Sequence, residues 1–197
     1  MSLYGSFLHS EKVPNALFFF DYIEKNDNFE FRKALRNHDV DLIVLSSRGG
    51  SVWEGLSIAG IINDKGLNVY VPKTSVKGDG NCASACSFMF FAGETRNVEG
   101  KLGVHQFLSK EKEKKEKIVE IQKNSQFTVS EIIGYLNEFE KPPWDFERMF
   151  QQSEMYYFKK TELVQLETEV SDELVTHYGK SEKFIKDLSK AFAEVAE

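Results

Sequence analysis

The feature that most constrains this chain runs from Asp41 to Val71, where two short apolar segments flank a glycine-punctuated helix. Leu42-Ile-Val-Leu45 is apolar without interruption, as expected of a parallel strand covered on both faces. Arg48-Gly49-Gly50-Ser51 then breaks the chain. Val52, Leu56, Ile58, Ala59, Ile61 and Ile62 predict a mostly apolar helix that stops at Lys65-Gly66. Leu67–Val71 predicts a second strand. Strand, helix and strand joined this tightly form a βαβ unit with a right-handed crossover, so the two strands should lie parallel and close together. The expected class is α/β.

Flanking segments extend the pattern. Leu17-Phe-Phe-Phe20, within Asn15–Ile23, predicts a buried strand, and Phe31, Ala34 and Leu35 share one face of a short helix. Thr74–Asn81 reads as a loop leading into Cys82–Ala92, an apolar and therefore buried helix, and Leu102–Phe107 reads as a short strand. Lys110–Lys117 begins a solvated helix with opposite charges at helical spacing. Phe127–Phe139 and Phe146–Phe150 look helical, separated at Pro142-Pro143, and Ser181–Ala196 is amphipathic. A chain of 197 residues suits one domain, taken as residues 15–170 between an N-terminal extension, 1–14, and a helical tail, 171–197.

Charge excludes one class of partner: the formal net charge is −6 and the lysines interleave with glutamates, which leaves no basic footprint for nucleic acid. No apolar run approaches the roughly 20 residues that span a bilayer. Cys82 and Cys86 have no nearby histidine to complete a zinc tetrahedron, and no metal or other cofactor is expected. The sequence does not open with a basic segment followed by an apolar stretch, and localisation stays open.

Gly49-Gly50 and Ser84 hold equivalent places, each where the chain passes from a strand into a helix, and such crevices in α/β sheets bind ligands. Glycines let a substrate approach the backbone closely, so their N–H groups could form half of an oxyanion hole, with Ala85 supplying the other half. A serine hydroxyl needs a base to accept its proton. Of the four histidines, His105 lies on a predicted strand among apolar neighbours, whereas His9, His38 and His177 sit in polar segments that suggest exposure. Taken singly, a serine between two alanines can serve close helix packing, and a strand histidine can be a core residue.

Taken together, Leu45-Ser-Ser-Arg-Gly-Gly-Ser-Val52, Asn81-Cys-Ala-Ser-Ala-Cys86 and Gly103-Val-His-Gln-Phe107 resemble the Clp protease and crotonase superfamily. The likeness is closest to a bacterial branch of Clp-protease-like proteins, often predicted to be periplasmic, and covers about Leu17 to Val170. The resemblance implies a spiral of repeated ββα units with a parallel sheet and a helical C-terminal part. It implies a serine peptidase in which Ser84 attacks a carbonyl of a polypeptide substrate, His105 acts as general base, and the backbone of Gly49, Gly50 and Ala85 holds the oxyanion. It also implies a homo-oligomer. The aspartate of the Clp pattern has no obvious counterpart, so Glu154 is expected to orient His105, with Asp145 second and a backbone carbonyl or water as the alternative.

Other readings remain open: a crotonase-type acyl-CoA enzyme, which needs no Ser-His pair, or a binding and assembly protein that has kept the fold. A cysteine nucleophile at Cys82 or Cys86, or a Ser-Lys pair using Lys73 or Lys101, is also compatible with the residue types. The spacing of the cysteines would put their Cα atoms roughly 6 Å apart on a helix, within disulfide range. They are either a disulfide of an oxidising compartment or two small buried thiols.

Overall fold

The computed structural model describes residues 1–73, 81–106, 115–139, 148–149, 151 and 154–167. The first element, β1 (Ser2–Tyr4), is followed by β2 (Phe7–Ser10), β3 (Val13–Phe19), α1 (Asp27–Asn37), β4 (Leu42–Leu45), α2 (Val52–Asp64) and β5 (Asn68–Val71). Then come β6 (Asn81–Ala83), α3 (Ala85–Phe91), β7 (Arg96–Val98), β8 (Lys101–Val104), α4 (Lys115–Glu138), β9 (Tyr156–Tyr157) and, last among the described residues, α5 (Lys160–Leu166).

A six-stranded sheet runs in the order β1-β2-β3-β4-β5-β7, and β6-β8-β9 make a smaller one. The pairs β3–β4, β4–β5 and β5–β7 are parallel; the βαβ connection through α2 places its strands side by side as expected, and the one through α1 does the same. Alternation along the buried strands explains why the runs are apolar throughout. Leu17, Phe19, Ile43 and Leu45 enter the main core, while Ala16, Phe18, Phe20, Leu42 and Val44 pack in a second cluster. A polar face would have left one of these layers without apolar partners.

Residues 1–14, read from sequence as an extension, contribute β1, β2 and the start of β3 to the large sheet. Phe7 explains the integration: it is fully buried, pairs with Phe19 across the strands and packs on Phe31 of α1. The buried Asp27 ties hairpin to helix, its carboxylate accepting from the N–H groups of Ser6 (3.1 Å) and Glu24 (2.7 Å). The helix expected from Cys82 begins instead at Ala85, because Cys82 pairs with Leu102 in the β6–β8 ladder and Ser84 leaves helical geometry. Only part of Phe146–Phe150 is described, and residues 74–80, 107–114, 140–147 and the tail from 168 lie outside the described residues.

The two sheets meet where the site forms. Past β4 the chain continues to pair, first through a bridge between Ser47 and Cys82, then through one between Gly50 and Ile23. The N–H of Ser47 donates to Asn81 O (2.6 Å) and that of Ala83 to Ser47 O (3.0 Å). These bonds bind the Gly49-Gly50 turn to the strand that carries Ser84.

Candidate active site

Ser84 joins β6 to α3 in a conformation that side-chain-bearing residues seldom adopt, φ 57° and ψ −128°. Such a backbone costs about 1–3 kcal/mol and persists only where its surroundings hold it. Here the hold is specific. The Ser84 N–H donates to Gly103 O (3.0 Å), and its carbonyl accepts from both the N–H (2.9 Å) and the hydroxyl (2.6 Å) of Ser87. A disulfide between Cys82 and Cys86, whose Cα atoms are 5.2 Å apart, closes the turn from below. Both cysteines are fully buried, one at the centre of β6 and one in the first turn of α3.

The sharp turn lifts the serine hydroxyl towards His105, whose Nε2 lies 2.7 Å from Ser84 Oγ. The other ring nitrogen, Nδ1, lies 2.7 Å from the carbonyl oxygen of Gln106. A carbonyl only accepts, so Nδ1 carries the hydrogen and Nε2 is left as the acceptor for the serine O–H. The neutral imidazole is thereby set in the tautomer that can receive a proton from Ser84. His105 stands just beyond β8 rather than within it, and both Ser84 and His105 are half-buried. Gly103 allows this crowding: a Cβ there would come within 2.9 Å of the Tyr157 ring.

Gly49 is pressed against the nucleophile turn, where a Cβ would meet Ala83 O and Ser84 Cβ at 2.7 Å each, and its φ of 97° also favours glycine. Its N–H donates to Ser47 Oγ (3.1 Å), so the turn itself uses one of the donors expected for an oxyanion. The N–H groups of Gly50 and Ala85 have no acceptor among the described residues, and both residues line a cleft of about 560 Å³ with Ser84 and His105. Val52, Phe88, Val104, Ile132 and Met149 give that cleft an apolar wall, while Tyr22, Trp53 and Arg48 stand at its exposed side. A hydroxyl, an accepting imidazole and two open N–H groups around one cleft are the parts that acyl transfer requires.

Glu154 does not take the expected place. It is exposed, and the Gln106 carbonyl occupies the Nδ1 side of His105 instead. Asp145 lies outside the described residues. The disulfide removes Cys82 and Cys86 as thiol nucleophiles, and Lys73 and Lys101 are exposed rather than buried. Two residues escaped the sequence reading. Ser47 and Ser87 brace the turns through side chain–backbone bonds, and the only signal was their position near the glycines and three residues after Ser84. The exposure expected of His9 is also corrected, since it is buried against His38, with ring centroids 3.6 Å apart.

The architecture is the α/β fold of the Clp proteases. A solved structure of a ClpP1 point mutant from Listeria monocytogenes superposes with a TM-score of 0.57 over 83% of this chain and 96% of that one, at 15% sequence identity. At that identity the likeness is one of fold. No family model and no curated protein matches the sequence.

Proposed function

We propose that this protein is a serine hydrolase, specifically a peptidase, working through an acyl-enzyme on Ser84. The observation that carries the reading is the contact of 2.7 Å between Ser84 Oγ and His105 Nε2, with Nδ1–H held by Gln106 O. In the first half-reaction Ser84 Oγ attacks the peptide carbonyl and its proton passes to His105 Nε2. The carbonyl oxygen becomes an oxyanion held by the N–H groups of Gly50 and Ala85. The C–N bond then breaks, and the imidazolium returns its proton to the leaving amine. Water, deprotonated by the same nitrogen, attacks the ester and frees the acid and Ser84. Removing one oxyanion donor typically costs about 10²–10³ in turnover, so the two open N–H groups are a substantial part of the proposal.

A crotonase-type acyl-CoA enzyme would use the N–H pair but would have no need of the serine and its accepting imidazole. The buried disulfide supports an oxidising compartment for the chain, and the Clp-type architecture supports assembly into a homo-oligomer. The decisive experiment is labelling with a neutral fluorophosphonate followed by peptide mapping. Adduct on Ser84, lost in His105→Ala, is the expected result; an intact protein that stays unlabelled would overturn the hydrolase reading.

A further inference from the structure

Two successive glycines put no side chain in the way of rotation of the peptide between them, so the orientation of the Gly49-Gly50 peptide is set by what holds it from outside. Ile23 does this from one side. Its N–H donates to Gly49 O (3.0 Å) and its carbonyl accepts from the N–H of Ser51 (2.9 Å), so the two bonds bracket Gly50. The fit is close, since a Cβ on Gly50 would collide with the Ile23 backbone. Across a trans peptide the N–H points opposite to the carbonyl. With Gly49 O turned to Ile23, the N–H of Gly50 is aimed away from Ile23, and Gly50 lines the cleft.

A carboxylate in the first turn of α2 holds Ile23 in turn. Glu54 stands at the third position of the helix that Ser51 caps, where a glutamate ordinarily folds back to the N–H of the capping residue. That N–H is taken by Ile23 O, and the Glu54 carboxylate reaches across to the start of α1 instead. Its Oε1 accepts from the Asn26 N–H (3.1 Å), and its Oε2 accepts from the N–H (3.0 Å) and the side-chain amide (2.7 Å) of Asn28. Asn26 has a left-handed φ of 75°, and its own side chain does not cap α1, so Glu54 supplies the cap from another helix. The carboxylate thus joins the helix that follows the glycines to the segment that follows Ile23. The next residue, Gly55, lies against the other oxyanion donor, where a Cβ would come within 2.9 Å of Ala85 O.

We propose that Glu54 is a positioning residue for the oxyanion hole: by fastening Asn26 and Asn28 to α2 it holds Ile23 against the Gly49-Gly50 turn and so keeps the Gly50 N–H aimed into the cleft. The inference rests on the serine hydrolase reading and adds to it a residue that does not itself line the cleft. Loss of an oxyanion donor typically costs about 10²–10³ in rate, and Glu54 acts on that donor only through Ile23, so its removal should cost about tenfold or more in the chemical step.

The test is the rate of Ser84 labelling by a neutral fluorophosphonate, whose phosphoryl oxygen takes the place of the oxyanion, measured on the full-length protein from about pH 5 to 9. Wild type is compared with Glu54→Ala, Glu54→Gln and Asn28→Ala, and with Asn68→Ala, which removes two side-chain hydrogen bonds of β5 away from the cleft. The expected result in Glu54→Ala is a plateau rate lower by about tenfold or more with the pH midpoint of the wild-type profile retained, because the Ser84-His105 pair is untouched while the donor is displaced. Glu54→Gln keeps an oxygen that can accept one of the N–H bonds and should lose less, though more than about threefold, and Asn28→Ala should lose least. Asn68→Ala should lower the Tm and leave the plateau unchanged. A smaller loss in Glu54→Ala, a shifted midpoint, or an equal loss in Asn68→Ala overturns the inference, and if Glu54→Ala does not fold, Glu54→Gln decides by the same criteria. Labelled wild type with unaffected Glu54 variants sinks the role of Glu54 alone, whereas wild type that takes no label sinks the hydrolase reading and the inference with it.

Discussion

The Nδ1–H of His105 donates to the main-chain carbonyl of Gln106 at 2.7 Å, the place that a carboxylate occupies in a Ser-His-Asp triad. A carbonyl fixes the tautomer as well as a carboxylate does, but as a dipole it stabilises an imidazolium less than a full charge would. Turnover should therefore not depend on the late acid. Glu154→Gln is expected to stay within about tenfold of wild type in steady-state peptide hydrolysis, whereas removing a true triad acid costs about 10⁴. A loss of that larger size would return Glu154 to the site.

Gly49→Ala should be among the most damaging single changes. The added Cβ would meet Ala83 O and Ser84 Cβ at 2.7 Å in a backbone whose φ is 97°, so the turn or the serine must move. Displacing the nucleophile and its neighbouring N–H groups is expected to lower kcat by about 10² or more. Circular dichroism would show the sheet retained. Wild-type turnover in this variant would mean that the Gly49-Gly50 turn is not part of the active centre.

A separate prediction concerns acid stability at the N-terminal hairpin. His38 Nε2 lies 2.8 Å from the Tyr4 hydroxyl, which also accepts from Asn37 Nδ2 (3.2 Å). Burial, and then repulsion from the stacked His9, hold its pKa below the ordinary 6.5. A base with a lower pKa in the folded state is protonated first in the unfolded chain, so the unfolded chain binds more protons as pH falls below about 6.5. This contribution is fully present above that pH and is lost on acidification. The Tm should drop between about pH 7.5 and 5.5, and His38→Gln should flatten that part of the curve. An equal acid slope in the variant would place the sensitivity elsewhere.

Sequence and structure agree where apolar runs are long enough to carry periodicity. The strands around Phe18, Val44 and Val69 and the helix through Leu56 and Ile62 were legible because their apolar side chains face a core, from alternate sides of the strands and from one face of the helix. The strands Asn81–Ala83, Arg96–Val98 and Tyr156–Tyr157 were not, since two or three residues hold too little pattern and their pairing is decided by distant partners. Ser84, His105 and the glycines could be singled out because their chemistry resides in residue type. The partner at His105 Nδ1 could not, because a backbone carbonyl has no signature in a sequence and every residue supplies one.

The last prediction separates two possible roles of the disulfide between Cys82 and Cys86. As a global staple it is weak: in the chain-entropy description, closing so short a loop stabilises the fold by only about 2 kcal/mol. Its location suggests a local effect instead, because it joins the residue before Ala83 to the one after Ala85 and so encloses Ser84, with its φ of 57°. The backbone cost of that conformation, about 1–3 kcal/mol, is of the same size as the constraint, so loss of the bond leaves the turn free to relax while the sheets remain. Reduction, or Cys82→Ser with Cys86→Ser, should lower kcat by about tenfold or more and slow fluorophosphonate labelling, with the far-ultraviolet spectrum unchanged and the Tm reduced by only a few degrees. The hydrogen bonds from Ser84 N to Gly103 O and from Ser87 to Ser84 O would survive reduction and supply the remaining activity. Full activity with two free thiols, verified by mass, would show that those bonds alone are enough to hold the nucleophile.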